Sequence, residues 1–377
     1  MARITERHAL LSETPSTQRV VTMHRYGAGT NGKIAYVQAC LHADETPAMA
    51  CTHHLLQRLE EADQQGLLKG EIVVVPFANP IGLDQFEDDI LLGRVHRGGE
   101  GNFNRGWYDL TAMMKDRLID KLGKDKEDNV KLIRATMQDV LNEVTPASEF
   151  DSLRKILTKE AARADYVFDL HCDDESLPYL YISDLNWPDC QDFAADFGAT
   201  AVMMAENSGG GSFDEVYTRP WAELSRLFPD AAIPQATMSM TVEHRGRPDV
   251  SDEIGAKDAE ALFKFFIRRG LIEGDAGPIP APLCEATGTD ACEIIPSPGA
   301  GFVTYCRELG EIVKKGDQIA TLIDPAAEDP TKSRTPIYAG TDGIFFTRRQ
   351  HKAVKPGLVV GKVAGKEPLK AGYLLED

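Results

Sequence analysis

The chain is short of positive charge: 41 Lys and Arg stand against 59 Asp and Glu, for a formal net charge of −18. Phosphate backbones are gripped by clustered Lys and Arg, so this balance argues against a nucleic-acid partner and against docking on anionic membranes. An acidic excess of this kind also serves simply to keep a protein dispersed in water. No window approaches the ~18 consecutive apolar residues of a membrane span. The opening residues MARITERHALLSETPS carry Arg3, Glu6 and Arg7 and no apolar run of signal-peptide length. The seven cysteines, at 40, 51, 172, 190, 284, 292 and 306, are odd in number and contain no Cys-x-x-Cys pair. They suggest neither a disulfide framework nor a cysteine zinc site. Repeats and low-complexity tracts are lacking as well. These absences lead to the expectation of a cytoplasmic protein without nucleic acid or membrane as partner. The size and acidity are compatible with a homo-oligomer.

A chain of 377 residues is long enough for two domains. Lys33 to Cys40, Glu71 to Phe77, Ala164 to Leu170 and Met238 to Glu243 are apolar, β-branched runs that read as buried strands. Helical patterns lie between and after them: 45–62, where Pro47 suits a first turn, then 152–164 and 255–270. This alternation predicts an α/β domain with a mixed, largely parallel sheet between helical layers. Residues 112–160 read as a helical insertion, and 206–222, with a Gly run and aromatics, as a long loop of the kind used for lids. After the Pro/Gly-rich stretch near 273–283 come short β runs punctuated by glycine. The expected division is therefore 1–275 for a catalytic domain and 284–377 for a small all-β domain.

Four short signals carry chemistry. His42-Ala43-Asp44-Glu45 follows the first of the four runs, where a strand ends and a helix begins. A His and a Glu three apart can turn toward one point there, and imidazole and carboxylate suit zinc. Asp169-Leu170-His171 ends another strand. Ligands gather outside the carboxyl ends of such strands, so His42, Glu45 and His171 could meet, with Asp169 behind a ligand to orient it. Asn102-Phe103-Asn104-Arg105 lies downstream of Arg94 and Arg97. Guanidinium groups bind carboxylates in a bidentate fashion and stabilise oxyanions. Thr241-Val242-Glu243 ends the last strand, and a carboxylate there could move a proton between water and a leaving amine.

Taken in order, His42-x-x-Glu45, Asn104-Arg105, Asp169-Leu170-His171 and Thr241-Val242-Glu243 resemble the succinylglutamate desuccinylase/aspartoacylase family, of the zinc carboxypeptidase-like group. The four motifs span about residues 34 to 270, roughly two-thirds of the chain. The resemblance implies one zinc ion per chain held by His42, Glu45 and His171, with zinc-bound water as nucleophile. It implies that Glu243 is general base and acid, that Asn104 and Arg105 hold a substrate carboxylate, and that an upstream arginine, Arg94 or Arg97, polarises the scissile carbonyl. The implied reaction is hydrolysis of the amide of a small N-acyl amino acid or related acylated amine. Two departures stand out. Cys40 and Ala43 occupy positions where the family pattern has glycine, and His244-Arg245-Gly246 follows Glu243 where a small Leu-Gly type sequence is usual, which is expected to alter the substrate pocket.

The C-terminal β runs resemble the barrel-sandwich hybrid fold of biotinyl and lipoyl carriers. Lys332, in DPAAEDPTKSRTPI, lacks the Met-Lys-Met setting of a carrier lysine, so neither lipoylation nor biotinylation is expected. Two other readings use the same residues: a metallocarboxypeptidase that trims peptides, and a non-catalytic metal- or ligand-binding protein.

Overall fold

The computed structural model describes residues 3–369. Its centre is a nine-stranded mixed sheet. Across the sheet the strands run Ile4–Ala9, Val20–Tyr26, Glu71–Val75, Ile34–Ala39, Tyr166–Asp173, Met238–Gly246, Tyr179–Ile182, Ala201–Met204 and Ala286–Gly288. Five of the eight neighbour pairs are parallel, including the central run from Glu71–Val75 to Met238–Gly246. The largely parallel sheet expected from strand–helix alternation is what forms.

The strands alternate their side chains between two apolar layers. Ala35, Val37, Ala39, Phe168 and Leu170 face one core, and Tyr36, Val73, Val75 and Val167 face the other. Helices α1 (Pro47–Gln64), α5 (Gln191–Phe197) and α7 (Asp252–Arg268) cover the first face. Helix α1 begins on Pro47, whose fixed φ suits a first turn. It buries Cys51, Leu55, Leu59 and Ala62, a stripe at helical spacing. Ser251 caps α7 by accepting from the Ile254 N–H. Phe168, Phe193 and Phe265 meet edge to face at centroid separations of 5.2–5.9 Å. Each buried ring is worth roughly 2–3 kcal/mol relative to exposure.

Helices α2 (Leu110–Leu118), α3 (Lys126–Glu143), α4 (Glu149–Ala161) and α6 (Glu215–Leu227) cover the second face. Residues 112–160, which read from sequence as an insertion, thus make most of one of the three layers. Asp109, Asp125 and Ser148 cap α2, α3 and α4 through their side chains. The stretch 206–222 is loop only as far as α6. Gly106 and Trp107 donate to the carbonyls of Gly210 and Gly211, which fastens that loop to the Asn104-Arg105 segment.

Beyond the nine-stranded sheet lie two antiparallel sheets. One orders Arg334–Tyr338, Gln318–Ile323, Gly301–Tyr305 and Ala353–Val354; the other orders Glu175–Ser176, Gly343–Arg348, Val359–Gly365 and Cys292–Pro296, with Ile312–Val313 beside Gly343–Arg348. Val303, Leu322, Phe345, Val360 and Val363 form the apolar layer they share. Among the described residues neither sheet closes into a barrel.

The two parts of the chain interlock. Ala286–Gly288 is an edge strand of the nine-stranded sheet, and Glu175–Ser176 pairs in the opposite direction with Gly343–Arg348. Glu175 accepts from Arg348 Nε (2.6 Å) and Lys352 Nζ (2.8 Å), and Lys362 Nζ donates to Asp173 (2.7 Å). Among the described residues no helix is long and apolar enough to cross a membrane.

Candidate metal centre and active site

Three strand ends meet at one cleft. Ile34–Ala39 leads into the turn that carries His42 and Glu45. Tyr166–Asp173 carries Asp169 and His171 on one face, because residues two apart in a strand point the same way. Met238–Gly246 lies beside it in parallel, with Glu243 in register with His171. Parallel neighbours end together, which is why residues 126 apart in the chain come into contact.

The turn after Ile34–Ala39 requires backbone that most residues avoid. Cys40 sits at φ +60°, the left-handed region that glycine favours. The family pattern places glycine there, and the Cys40 side chain is instead buried against the Glu45 carbonyl (3.7 Å). Ala43 donates to the carbonyl of Gly93 (3.0 Å). A Cβ on Gly93 would lie 2.5 Å from the Asp44 nitrogen, so only glycine allows the two segments to touch. That contact delivers the next residue, Arg94, to Glu45.

At the centre, His42 Nδ1 lies 3.0 Å from Glu45 Oε1, and His171 Nδ1 lies 2.7 Å from Glu45 Oε2. One donor atom from each of the three residues falls within 4.8 Å of the others, and all three side chains are buried. The outer nitrogens are also engaged. His42 Nε2 is 2.8 Å from Asn102 Oδ1, and His171 Nε2 is 2.8 Å from Asp169 Oδ2. Each outer nitrogen faces an acceptor oxygen that would keep its proton there if a bound ion took the inward Nδ1 lone pairs. Behind Asp169 the chain continues through Gln38 Nε2 (2.8 Å), whose Oε1 accepts from the Tyr36 hydroxyl (2.8 Å).

The electrostatics call for positive charge at this point. Burial opposes charge on His171, yet Asp169 and Glu45 outweigh it and hold its pKa well above the usual imidazole range. Burial likewise opposes charge on Glu45, and His42 and His171 hold it well below the usual carboxylate range. Burial, aided by Arg94, keeps His42 below its ordinary value despite Glu45. Two imidazole nitrogens and a carboxylate, each backed by an oriented partner, form a donor set that fits a divalent cation such as zinc.

The other expected residues divide. Glu243 lines the same cleft, half-buried, and its buried Oε2 has no hydrogen-bond partner. Burial, then the nearby Glu45 charge, pushes its pKa up to about 8. Arg94 lines the cleft with Nη1 3.4 Å from Glu45 Oε1, whereas Arg97 pairs with exposed Glu87 away from it. The structure therefore brings Arg94 to the site and leaves Arg97 outside. Arg105 lines the cleft and donates to the Asn104 carbonyl (2.7 Å). Asn104 is there too: its Oδ1 accepts from the Phe213 N–H (2.8 Å), and its Nδ2 lies 3.4 Å from His171 Nε2. His244, expected to alter the pocket, faces away from it. It is 1% exposed, and its Nδ1 meets Asp258 of α7 at 2.8 Å, beside Arg245 Nη1 at 2.7 Å.

Other residues of the cleft were not anticipated. Asn102 was visible in the motif but had no role. Gln38 and Lys362 each stand out as one polar residue inside an apolar strand run (IAYVQA and VVGKVAG), a signal that a buried polar partner is needed. Lys362 comes from the C-terminal sheets and reaches the cleft, with Asp173 as its partner.

Residues 31–257 match the model of the succinylglutamate desuccinylase/aspartoacylase catalytic domain. No curated protein matches the sequence. Among solved structures, a succinylglutamate desuccinylase/aspartoacylase family protein of Shewanella amazonensis superposes with a TM-score of 0.82 at 22% identity, covering 97% of this chain and 98% of that one. One from Shewanella frigidimarina gives 0.83 at 20% identity, over 96% and 97%. The product-bound Ectoine utilization protein EutE (DoeB) of Ruegeria pomeroyi gives 0.68 at 15% identity, over 97% and 95%. At these identities the likeness is one of fold, and it extends through the C-terminal sheets.

Proposed function

Because the chain belongs to the succinylglutamate desuccinylase/aspartoacylase family, we propose that it is a zinc-dependent deacylase that hydrolyses the amide bond of a small N-acyl amino acid or related acylated amine. The observation that carries this reading is the convergence of His42, Glu45 and His171 beside Glu243, whose buried Oε2 lacks a partner. His42, Glu45 and His171 would hold the ion, which when bound supplies Lewis-acid polarisation and makes water a stronger nucleophile at neutral pH.

The protein's own groups supply the rest. Asn102 and Asp169 hold the two imidazoles in the tautomer that leaves Nδ1 free. Glu243 Oε2 accepts the proton of the attacking water and then delivers it to the departing nitrogen. A carboxyl pushed up to about 8 suits that double duty better than an ordinary glutamate, since it neither holds nor releases its proton too firmly near neutrality. Arg94 faces the carbonyl oxygen and offsets the negative charge that develops on it. Arg105 docks a free carboxylate of the substrate. Asn104 holds the Phe213 backbone in place through Oδ1 and keeps its NH₂ group at the cleft.

The test pairs elemental analysis of the purified protein with an amine-release screen over N-acetyl and N-succinyl amino acids. About one zinc per chain, with release from one acyl class, is the expected result. Absence of metal after careful reconstitution would sink the His42, Glu45, His171 assignment.

A further inference from the structure

Residues of the proposed centre have charged neighbours a few positions further along the chain. Asp44 follows His42 by two, Asp174 follows His171 by three, and Arg247 follows Glu243 by four. In the structure these three neighbours meet. Arg247 Nη2 lies 3.1 Å from Asp44 Oδ2, and Arg247 Nη1 donates to Asp174 Oδ1. One guanidinium thus spans the turn that carries His42 and Glu45 and the strand end that carries His171.

The backbone explains how Arg247 gets there. Met238–Gly246 stays in parallel register with Tyr166–Asp173 as far as Glu243 opposite His171, and the register then shifts before Gly246 meets Asp173. A bulge of this kind re-aims the side chains beside it. Arg245 takes φ +62° there, and a Cβ on Gly246 would lie 2.6 Å from the Asp174 carbonyl oxygen, so glycine permits the close approach. The Arg247 N–H then donates to the carbonyls of Asp173 and Asp174, each at 3.0 Å. Main chain fixes where the side chain begins, and two carboxylates fix where it ends.

The network is largely withdrawn from water: side-chain exposure is 25% for Arg247, 17% for Asp44 and 16% for Asp174. A guanidinium can hold two carboxylates at once because its N–H groups form a rigid fork. Among the described residues Arg247 is the one cation within ion-pair distance of Asp44, whose Oδ1 is buried without a hydrogen-bond partner. Removing Arg247 would leave two half-buried carboxylates around one vacated space, and like charges there push the two ligand-bearing segments apart. Asp174 Oδ2 also faces Arg349 Nη1 of the C-terminal sheets at 3.5 Å. Arg247 lines a cavity beside the cleft and not the cleft itself, so any effect on the chemistry passes through the ligands.

Resting on the metal-dependent reading above, we infer that Arg247 is a positioning residue that clamps the His42–Glu45 turn onto the His171 strand and presets the spacing of the three ligands. Ligands already at the right spacing need not be drawn together when an ion binds, so the clamp acts on metal affinity.

The full-length protein and its Arg247→Met variant are stripped of metal and titrated with zinc against a competing chromophoric chelator. Arg247→Met should raise Kd by about tenfold or more, with the far-ultraviolet circular dichroism unchanged. Arg268→Met breaks another largely buried arginine–aspartate pair, with Asp196 between α7 and α5. It touches neither ligand-bearing segment and should leave Kd within about twofold. Asp44→Asn removes the clamp's other partner; combined with Arg247→Met, it should weaken binding no further than the stronger single change. An unchanged Kd in Arg247→Met, an equal loss in Arg268→Met, or additive losses in the double variant would overturn the inference. Should Arg247→Met fail to fold, Asp44→Asn alone decides, with a raised Kd upholding the clamp and parental affinity overturning it. A parent protein that takes up no zinc removes the deacylase reading and the clamp with it, whereas equal affinity in the parent and Arg247→Met removes the clamp alone.

Discussion

Replacing Asp169 by Asn probes the buried chain behind the proposed metal ligands. Asp169 is fully buried and both of its oxygens accept, one from Gln38 Nε2 and one from His171 Nε2, each at 2.8 Å. The Tyr36 hydroxyl donates to Gln38 Oε1, which settles the direction of the Gln38 amide. An asparagine offers one acceptor oxygen and one NH₂ group. If the NH₂ faces Gln38, two donors oppose each other in a dry site, at about 1–3 kcal/mol. If it faces His171, the imidazole must move its proton to Nδ1, the atom turned toward Glu45, and the inward lone pair is lost. Either way the inner ligand set is disturbed without removing a ligand. Outer partners of metal-bound histidines are typically worth about 10- to 100-fold in affinity, roughly 1.4–2.7 kcal/mol. Titration of zinc against a competing chromophoric chelator should therefore give a Kd raised by about 10- to 100-fold, with the far-ultraviolet circular dichroism unchanged. A Kd equal to the parent's would refute the claim that Asp169 sets the His171 tautomer.

Three further outcomes are expected. His171→Ala should abolish both metal uptake and turnover, whereas Glu243→Ala should retain the metal and lose turnover; elemental analysis beside the activity assay distinguishes them, and an active His171→Ala would sink the assignment. Arg94→Ala should lower kcat by about 10²–10³-fold, while Arg97→Ala, whose partner Glu87 is exposed, should stay near the parent; the reverse pattern would exchange their roles. Burial opposes charge on Asp258, but His244 and Arg245 outweigh it and hold its pKa below the ordinary carboxylate value. The stabilisation is then complete above the unfolded pKa of about 3.9 and is lost as pH falls through the lower folded value. Urea unfolding between about pH 6 and pH 2 should show that loss, and Asp258→Asn should flatten it; an unchanged slope in the variant would contradict the ion-pair account.

Local spacing made much of this site readable. His42 and Glu45 are one turn apart, and Asp169 and His171 share a strand face through the two-residue repeat, so backbone periodicity alone makes each pair act together. Apolar, β-branched runs identified four of the central strands, because strands buried on both faces must be apolar throughout. Cys40 takes a positive φ at a place where the family pattern has glycine, a conformation that a residue with a side chain does not favour.

Tertiary structure decided what spacing cannot encode. Arg94 and Arg97 are three residues apart and chemically alike, and only the close approach of Gly93 to the Ala43-Asp44 turn selects the first. His244, expected to alter the pocket, is instead claimed by Asp258 of α7. Lys362 lies 189 residues from Asp173, and no periodicity links them; the pairing exists because the C-terminal sheets are held against the strand ends through Glu175–Ser176. Asp214 and Glu215 reach the cleft in the same way: in sequence they are an ordinary helix start, and they line the cleft only because of where α6 packs. Sequence by itself specified residue types and local periodicity, and through them the candidate ligand set and the layers of the sheet. Which long-range neighbours complete the cleft was decided by packing, since contacts between distant segments depend on how whole elements bury their apolar faces and not on any spacing along the chain.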